Sequence, residues 1–350
     1  MEEPALERGE AHISMRKPSY PLTSSLLKYL KEFDRKTRIP CHYQDLLRFS
    51  NAIPLLDKQG KDTLWETVFY NDYEQQELHS GLTKIYAILK NAGDVSVMEH
   101  LRVDRIDYCI FGNSKPFRVK IINSFNDNYD YFYVKLGDSS RIYGLELEHI
   151  LSPNRINYLV DHETLIEEHI AGIPGDQFIT THFKDPQMNE TRLAKEFVKF
   201  NERCFVKLLG DMRAYNFVVD ITPDFDDLQY RIRAIDFDQQ CHEGRMNIYR
   251  PQFFKENFEF VQLCIKRLNQ KTVRQYQSEE CSLIAGRIHT SRYRLKALMD
   301  IMVKAEISTN EKIYQLKHEL TAHYRNDRFL ACQTMGEIVK QSLYIVMQNH

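Results

Sequence analysis

The spacing of apolar residues changes twice along this 350-residue chain, and the change limits the folds that it can adopt. Before about residue 100 and after about residue 190, apolar residues recur every three or four positions, as in amphipathic helices. Between residues 106 and 135 they instead alternate with polar residues in three short runs. Turn-forming residues separate these runs at 111–114 and 126–128. The pattern predicts a meander of three antiparallel strands between helical segments.

The segments after the meander complete the predicted order of elements. A helix is expected over residues 139–151, followed by strands at 156–160 and 164–171. One hairpin, with strands at 217–219 and 231–237, interrupts the later helical region. The predicted fold class is therefore α+β, with a small antiparallel sheet region and a larger helical region.

The N-terminal hundred residues are predicted to be a loose arm followed by an extra helical segment. Leu26, Leu27, Leu30 and Phe33 follow a Thr/Ser N-cap at helical spacing. A longer helix is expected from Thr63 to about residue 91, where an Asn-Ala-Gly-Asp sequence ends it.

The composition limits the class of protein. Hydrophobic residues make up 43% and charged residues 27%, with 13 Gly and 11 Pro, which excludes a fibrous or wholly disordered chain. No apolar run is long enough to predict a membrane-spanning helix, so no membrane partner is expected. The seven cysteines are scattered without a Cys-x-x-Cys pair, which favours free thiols and a cytoplasmic location.

The hairpin carries the residues best suited to chemistry. Asp211 stands five residues before Asn216, which opens the first strand, and Asp236 and Asp238 lie at the end of the second. Because the start of one strand and the end of the other share an edge, these side chains are expected to converge. Carboxylate and amide oxygens are the ligands that Mg²⁺ prefers. Asn216 and Asp236 are the predicted metal ligands, with Asp238 as an extra one, and Asp211 is the predicted proton acceptor.

This hairpin resembles the catalytic loop and metal-binding strand end of the protein-kinase-like superfamily. Gly210-Asp211 and Ile235-Asp236-Phe237-Asp238 look most similar to the aminoglycoside phosphotransferase and choline kinase branch, while HipA-type and phosphoinositide-type kinases use related loops. The resemblance covers about residues 105–240. It implies a bilobal kinase-like fold with an N-terminal extension at 1–100, a sheet-based nucleotide lobe at 101–171 and a helical lobe at 172–350.

The resemblance also implies phosphate-binding residues upstream of the hairpin. Gly112 and Ser114 lie in the turn expected to cover the phosphates. Lys135 ends the third strand, where the family places the lysine that neutralises phosphate oxygens. A glutamate on the next helix should hold this lysine. Glu146 lies nearer the apolar face of the helical wheel than Glu148, so Glu146 is preferred and Glu148 is the alternative.

The nucleotide base and the remaining phosphate charge have expected positions as well. The backbone carbonyl of Glu168 and the N–H of Ile170 would meet the adenine edge, as in the hinge of the family. Val218 and Ile235 would form an apolar floor beneath the base. Arg213, two residues after Asp211, is a candidate for stabilising phosphate charge.

Together these features predict an ATP- and Mg²⁺-dependent phosphotransferase with a hydroxyl acceptor that the sequence does not identify. The single glycine at Gly112 and the bulky Tyr133, two residues before Lys135, favour an alternative. In that alternative the chain is a pseudokinase-like interaction module that keeps the fold and has lost catalysis. Nucleotidyl transfer on the same fold is a third hypothesis.

Charge is distributed unevenly along the chain. Residues 241–350 contain 17 Lys and Arg but 11 Asp and Glu, although the whole chain has a net charge of −2. A protein partner bound through the N-terminal helices or these basic C-terminal helices is therefore a further hypothesis. Charges of both signs are interspersed, so a solvated helical surface explains the pattern more simply, and nucleic acid is not an expected partner.

Overall fold

The computed structural model describes residues 17–57, 59–91, 99–111, 114–224 and 227–349. These residues form a seven-stranded antiparallel sheet with the strand order β1-β2-β3-β4-β5-β7-β6, and a three-stranded sheet with the order β10-β9-β8. The strands are β1 Asn51–Leu56, β2 Asp62–Phe69, β3 Leu101–Cys109, β4 Phe117–Asn123, β5 Tyr129–Leu136, β6 Tyr158–Asp161, β7 Thr164–Glu168, β8 Ile173–Pro174, β9 Phe217–Asp224 and β10 Asp227–Ala234.

Helices flank the large sheet and make up most of the chain after β10. They are α1 Ser24–Glu32, α2 Tyr43–Leu46, α3 Asp72–Asn91, α4 Ser139–Leu151, α5 Gly175–His182, α6 Glu190–Lys207, α7 Phe258–Arg267, α8 Gln270–Thr290, α9 Arg292–Met302, α10 Asn310–Tyr324 and α11 Met335–Asn349. Short 3₁₀ turns cover Ala214–Asn216, Met246–Tyr249, Pro251–Phe253, Lys255–Asn257 and Asp327–Ala331. No helix of the described residues combines the length and apolar character needed to cross a membrane.

The predicted α+β class is confirmed, and so is the meander, which corresponds to β3, β4 and β5. Helix α4 has the predicted bounds, but its N-cap is Asp138, whose side chain accepts a hydrogen bond from the backbone N–H of Arg141. The hairpin is also present as β9 and β10, and their pairing sets Ala234 opposite Phe217. Asp236 therefore follows the end of β10 close to the start of β9.

The N-terminal region is only partly helical, and the helix predicted to begin at Thr63 is wrong over its first turns. Residues 62–69 form β2, which pairs with β1 on one side and β3 on the other. Thr63, Trp65 and Thr67 are residue types that favour strands, and sheet pairing outweighs their approximate helical spacing. The region therefore adds two strands to the sheet, which extends it beyond the predicted meander.

Two buried apolar clusters hold the fold together. One lies between the large sheet, α3 and the segment that contains α2, and it includes Leu82, Ile85 and Phe117. The other joins α4 to the helical region and to the β9–β10 hairpin. Helix α4 is buried on nearly all sides, since every residue from Ser139 to Leu151 except His149 is buried. It is therefore the central helix between the sheet and the helical region.

Candidate functional site

A cavity of about 410 Å³ lies between the large sheet, α4 and the β9–β10 hairpin. Its lining comes from the N-terminal strands, the meander, the segment after β7 and the hairpin. The lining residues are Trp65, Phe111, Ser114, Pro116, Arg118, Tyr133, Lys135, Arg141, Glu167, Glu168, His169, Ile170, Gly172, Pro174, Asn216, Val218, Ile235, Asp236 and Asp238.

Many residues singled out in the sequence meet at this cavity. They are Ser114, Lys135, Glu168, Ile170, Asn216, Val218, Ile235, Asp236 and Asp238. Asp211, Arg213 and Glu146 do not line it. Gly112 lies outside the described residues, so its predicted role in phosphate binding stays a prediction.

Lys135 is held by a strand glutamate, and the predicted partner Glu146 is wrong. The Nζ atom of Lys135 donates a hydrogen bond of 2.7 Å to Oε2 of Glu167 on β7. The β5–β7 register sets Lys135 opposite Leu165 and Tyr133 opposite Glu167, so Lys135 and Glu167 are diagonal neighbours on one face of the sheet. This pairing fixes the ammonium group at the cavity wall.

Glu146 forms a separate buried group, which we call the Glu146 cluster. Its carboxylate accepts hydrogen bonds from Tyr29 (2.5 Å), Arg35 (3.3 Å), Tyr158 (2.7 Å) and Arg294 (2.7 and 2.9 Å). Burial alone would raise the pKa of Glu146, but hydrogen bonds and positive charge from Arg294, with Tyr29 and Arg35, bring it below its usual value. The cluster ties α1, α4, β6 and α9 together.

Glu148, the alternative partner for Lys135, is engaged elsewhere too. Its carboxylate forms a buried ion pair with Lys207 at the end of α6. The helical-wheel argument that favoured Glu146 over Glu148 failed, because a helix buried on nearly all sides has no single apolar face from which side-chain directions can be inferred.

Arg141 is the residue through which α4 reaches the cavity, and sequence reasoning missed it. Its guanidinium donates to Asp238 Oδ1 (2.7 Å), Asp236 Oδ1 (2.7 Å) and Glu167 Oε1 (2.9 Å). We call Lys135, Arg141, Glu167, Asp236 and Asp238 the Arg141 cluster. Burial opposes the charge of Arg141, but the three carboxylates raise its pKa well above the usual value. The kinase resemblance implies that α4 presents a glutamate to Lys135. The α4 residue that lines the cavity is instead the cationic Arg141.

The two carboxylates after β10 have different electrostatic environments. Burial and the negative charge of Asp238 raise the pKa of Asp236 above its ordinary value. Burial also disfavours the charged form of Asp238, but Arg141 more than compensates and lowers its pKa. The Asp236 side chain is 27% exposed and that of Asp238 is 11% exposed. Asp236 is thus the more accessible carboxylate, and its negative charge is less fully compensated by Arg141.

The loop before β9 presents a buried carboxylate beside the cavity. Asp211 has a φ of 58°, in the left-handed region, and its backbone carbonyl accepts a hydrogen bond of 2.7 Å from Nδ2 of Asn216. Its Oδ1 accepts from Nε of Arg213 (2.7 Å), while its buried Oδ2 has no hydrogen-bond partner among the described residues. Burial raises the pKa of Asp211, and Arg213 opposes that shift. A buried carboxylate oxygen without a partner is costly, and a bound group is one way in which proteins satisfy such an oxygen.

Arg213 does not face the cavity. Besides Asp211, its guanidinium binds Glu256 at 2.8 Å and lies 5.0 Å from the ring centre of Phe254. It therefore orients Asp211. Its predicted contact with phosphate charge stays a prediction.

The segment after β7 passes very close to the hairpin. Gly172 has a φ of 147°, and a Cβ atom there would lie 2.8 Å from the side chain of Val218. Strand β8 then pairs with β9, with Ile173 opposite Val219. The segment 168–172 and the apolar side chain of Val218 therefore border the same end of the cavity.

Aromatic side chains form the wall on the large-sheet side. Tyr133 lines the cavity, and its hydroxyl lies 3.2 Å from Nδ1 of His169. Trp65 of β2 lies 6.4 Å from Tyr133 between ring centres, and the guanidinium of Arg118 lies 4.5 Å from the Trp65 ring centre. Trp65 could not be placed at this site from the sequence, because its segment was predicted to be a helix. Aromatic side chains that line a cavity suit a heterocyclic base.

The oxygen atoms around Arg141 are of the type that suits a divalent cation. Asn216, Asp236 and Asp238 supply hard oxygen atoms of the kind that Mg²⁺ prefers. The Nδ2 atom of Asn216 is used by Asp211, which leaves the amide oxygen as the atom suited to a metal. The Arg141 cluster contains three carboxylates and two cationic side chains, so a bound cation would offset its excess negative charge.

Comparison with known proteins adds little to this geometry. No family model matches the chain, and no curated protein matches it. Among solved structures, the chain is similar to one described as "Titin kinase and its flanking domains", with 10% identity and a TM-score of 0.25. The match covers 70% of this chain and 54% of that one, so the chain spans about half the length of that structure.

Proposed function

We propose that this protein is an ATP-dependent phosphotransferase of kinase-like architecture that acts on a hydroxyl acceptor. One observation carries the proposal. A single cavity is bordered by a strand-borne lysine, by a backbone segment suited to an adenine edge, and by three oxygen-bearing side chains from one hairpin. These parts are 33 to 103 residues apart in sequence, and their convergence at one cavity matches the requirements of phosphoryl transfer.

Each group has a chemical task in this proposal. The adenine would pack against Val218 and Ile235, with the backbone of Glu168 and Ile170 at its edge. Lys135 would bring positive charge to the phosphates. Asn216 and Asp236 would hold Mg²⁺, which supplies charge neutralisation at phosphate oxygens when it is bound.

Asp211 would act on the acceptor. Its Oδ2 atom is buried without a hydrogen-bond partner among the described residues, and its pKa is raised by burial. Asp211 does not line the cavity, so an acceptor hydroxyl would reach this oxygen only after a local rearrangement, and the raised pKa then suits the carboxylate to accept the proton. Arg213 holds the other carboxylate oxygen at 2.7 Å and so fixes the direction in which Oδ2 points. Catalysis would come mainly from positioning and charge neutralisation.

The second candidate is a pseudokinase-like interaction module. It would bind a partner, with or without a nucleotide in the cavity, and would not catalyse a reaction. The observation that favours it is Arg141, which already binds one oxygen of Asp236 and one of Asp238. An internal guanidinium can offset the charge of these carboxylates in place of a metal ion. In this candidate the cavity would keep its shape, and the acceptor chemistry of Asp211 would be unused.

Calorimetric titration of the whole chain with a non-hydrolysable ATP analogue and Mg²⁺ tests the proposal. Wild-type protein should bind one nucleotide, and Asp236→Ala should weaken binding by at least about tenfold. Asp300→Ala is the matched control, because that aspartate lies on α9, away from the cavity lining, with a side chain that is 55% exposed. Equal affinities of the wild type and Asp236→Ala for the nucleotide analogue would contradict the proposal.

A turnover assay separates the two candidates once binding is established. For a phosphotransferase, wild-type protein consumes ATP and Asp211→Asn binds the analogue normally but loses turnover. Binding by the wild type without any ATP consumption across acceptor mixtures would favour the interaction module.

A further inference from the structure

A second group of potential metal ligands lies outside the cavity. Among the described residues, His42, Asp161 and His162 each offer a ligand atom, and these atoms lie within 4.8 Å of one another. Nε2 of His42 is 3.2 Å from Oδ2 of Asp161, and Nδ1 of His162 is 3.0 Å from Oδ1 of the same carboxylate. One carboxylate therefore lies between two imidazoles.

The backbone brings these residues together without help from the imidazoles. His42 is the N-cap of α2, while Asp161 and His162 lie at the turn between β6 and β7. The chain before His42 runs beside β6, where the N–H of Thr37 donates to the carbonyl of Val160 at 3.1 Å. The N–H of Tyr43 then donates to Oγ1 of Thr164 at 3.0 Å. The ligand positions are thus preorganised, which lowers the entropic cost of binding an ion.

The surrounding groups orient the ligands further. The Asp161 side chain is only 6% exposed, and its Oδ2 accepts a hydrogen bond of 3.1 Å from the N–H of Ile39. On the far side of the His42 ring, Oδ2 of Asp45 lies 3.8 Å from Nδ1. At this distance the carboxylate does not hydrogen-bond the ring, but it adds negative charge beside the site, and its Oδ2 accepts a hydrogen bond of 2.8 Å from the backbone N–H of His42. The His162 side chain is 81% exposed, so an ion can enter from solvent.

We propose that His42, Asp161 and His162 bind a divalent transition-metal ion of the zinc class. Two imidazoles and one carboxylate are an established type of zinc ligand set, with the fourth position left for water or an outside ligand. Bond lengths of about 2.0–2.2 Å place the ligand atoms of a tetrahedral site roughly 3.3 Å apart. The two imidazole–carboxylate separations, 3.0 Å to Oδ1 and 3.2 Å to Oδ2 of Asp161, are of this order, and the candidate ligand atoms all lie within 4.8 Å of one another. A bound ion would fasten the segment before α2 to the β6–β7 turn.

Titration of the chelator-treated full chain with ZnCl₂ tests this proposal, with Co²⁺ absorption as a probe of tetrahedral geometry. Wild-type protein should bind one ion at this site, and His42→Ala and His162→Asn should each weaken binding at least about tenfold. Asn is chosen at 162 because His162 has a φ of 50°, a conformation that Asn tolerates. His289→Ala, an exposed histidine at the end of α8, is the control and should bind like the wild type.

Thermal melting gives a second readout that does not depend on any activity. Zn²⁺ should raise the melting temperature of the wild type and of His289→Ala, but not that of the His42→Ala/His162→Asn double variant. His162→Asn alone carries the test if the His42 variant does not fold, because His162 is exposed. The proposal is overturned if the double variant binds zinc as tightly as the wild type, or if the wild type binds none at millimolar ZnCl₂.

Discussion

The Arg141 cluster and the Glu146 cluster lie on the same helix but are built in opposite ways. In the Glu146 cluster two guanidinium groups and two tyrosine hydroxyls all donate to one carboxylate that is fully buried. In the Arg141 cluster one guanidinium is shared among three carboxylates that border a cavity. The two α4 residues are about 140° apart around the helix axis, so the helix body separates the clusters.

A network of buried ion pairs therefore does not by itself mark a functional site. The Glu146 cluster has more cationic groups than carboxylates, and its one carboxylate is saturated with donors. The Arg141 cluster has the reverse balance, and the Asp236 side chain is 27% exposed. A sealed, saturated cluster stabilises the fold, whereas an accessible cluster with excess negative charge is suited to binding a cation.

The largest effect is expected from Glu146→Leu, which removes the carboxylate at little change in volume. Arg35 and Arg294 would then lose their shared counter-charge inside the protein. The free energy of unfolding should fall by about 3–5 kcal/mol, as measured by urea denaturation. Glu163→Leu, at an exposed position, is the control and should change stability by less than about 0.5 kcal/mol. A loss below about 1 kcal/mol for Glu146→Leu would remove the structural role assigned to this cluster.

A smaller loss of about 2–3 kcal/mol is expected for Arg141→Ala, because water in the cavity can partly solvate the carboxylates that are left unpaired. This variant should also respond to metal. Millimolar MgCl₂ should raise its melting temperature more than that of the wild type, because the cation would take over the charge compensation of Asp236 and Asp238. The Glu146→Leu variant should show no such extra response. The contrast between the two clusters fails if all three proteins respond equally to Mg²⁺.

The smallest effect, and one of opposite sign, is expected for Asp211→Asn. Burial raises the pKa of Asp211 above its ordinary value of 3.8, so the charged form destabilises the native state at neutral pH. The variant should therefore be more stable than the wild type by about 1 kcal/mol at pH 7. This advantage should shrink as the pH falls toward 3.8.

Glu146→Gln gives the opposite pH dependence and serves as the comparison for Asp211→Asn. The pKa of Glu146 is lowered, so its contribution to stability is present above its ordinary value of 4.5 and is lost as the pH falls through the lowered value. The variant should thus be less stable than the wild type at pH 7, and the deficit should shrink in acid. Urea denaturation between pH 3 and 8 measures both differences, and equal signs for the two variants would contradict the contrast between the well-compensated Glu146 carboxylate and the poorly compensated Asp211 carboxylate.

The hairpin and the central sheet were predictable because their signals are local. The alternating hydrophobic runs predicted β3, β4 and β5. The apolar strand after Asn216, with the acidic end of its partner strand, predicted the sheet edge where Asp236 lies. Short, strongly patterned segments leave little freedom in how neighbouring strands pair.

The partners of the charged residues were not predictable, because they depend on long-range packing. Lys135 binds Glu167 through the β5–β7 register, which a single sequence does not reveal. Arg141 and Glu146 face different neighbours on a helix that is buried on nearly all sides. The helix has no exposed face from which the directions of their side chains could be inferred. Trp65 reaches the cavity only because an N-terminal segment adds to the sheet, and that pairing spans about 40 residues of sequence.

The fluorescence of Trp65 directly tests whether the cavity binds a nucleotide together with a divalent cation. Trp65 is the only tryptophan in the chain, and it lines the cavity, so its fluorescence reports on that site alone. Titration with ATP and Mg²⁺ should change the emission of the wild-type protein to a saturating value, and Asp236→Ala should need at least about tenfold more nucleotide for the same change. Emission that stays constant up to millimolar nucleotide, or an identical curve for Asp236→Ala, would contradict the claim.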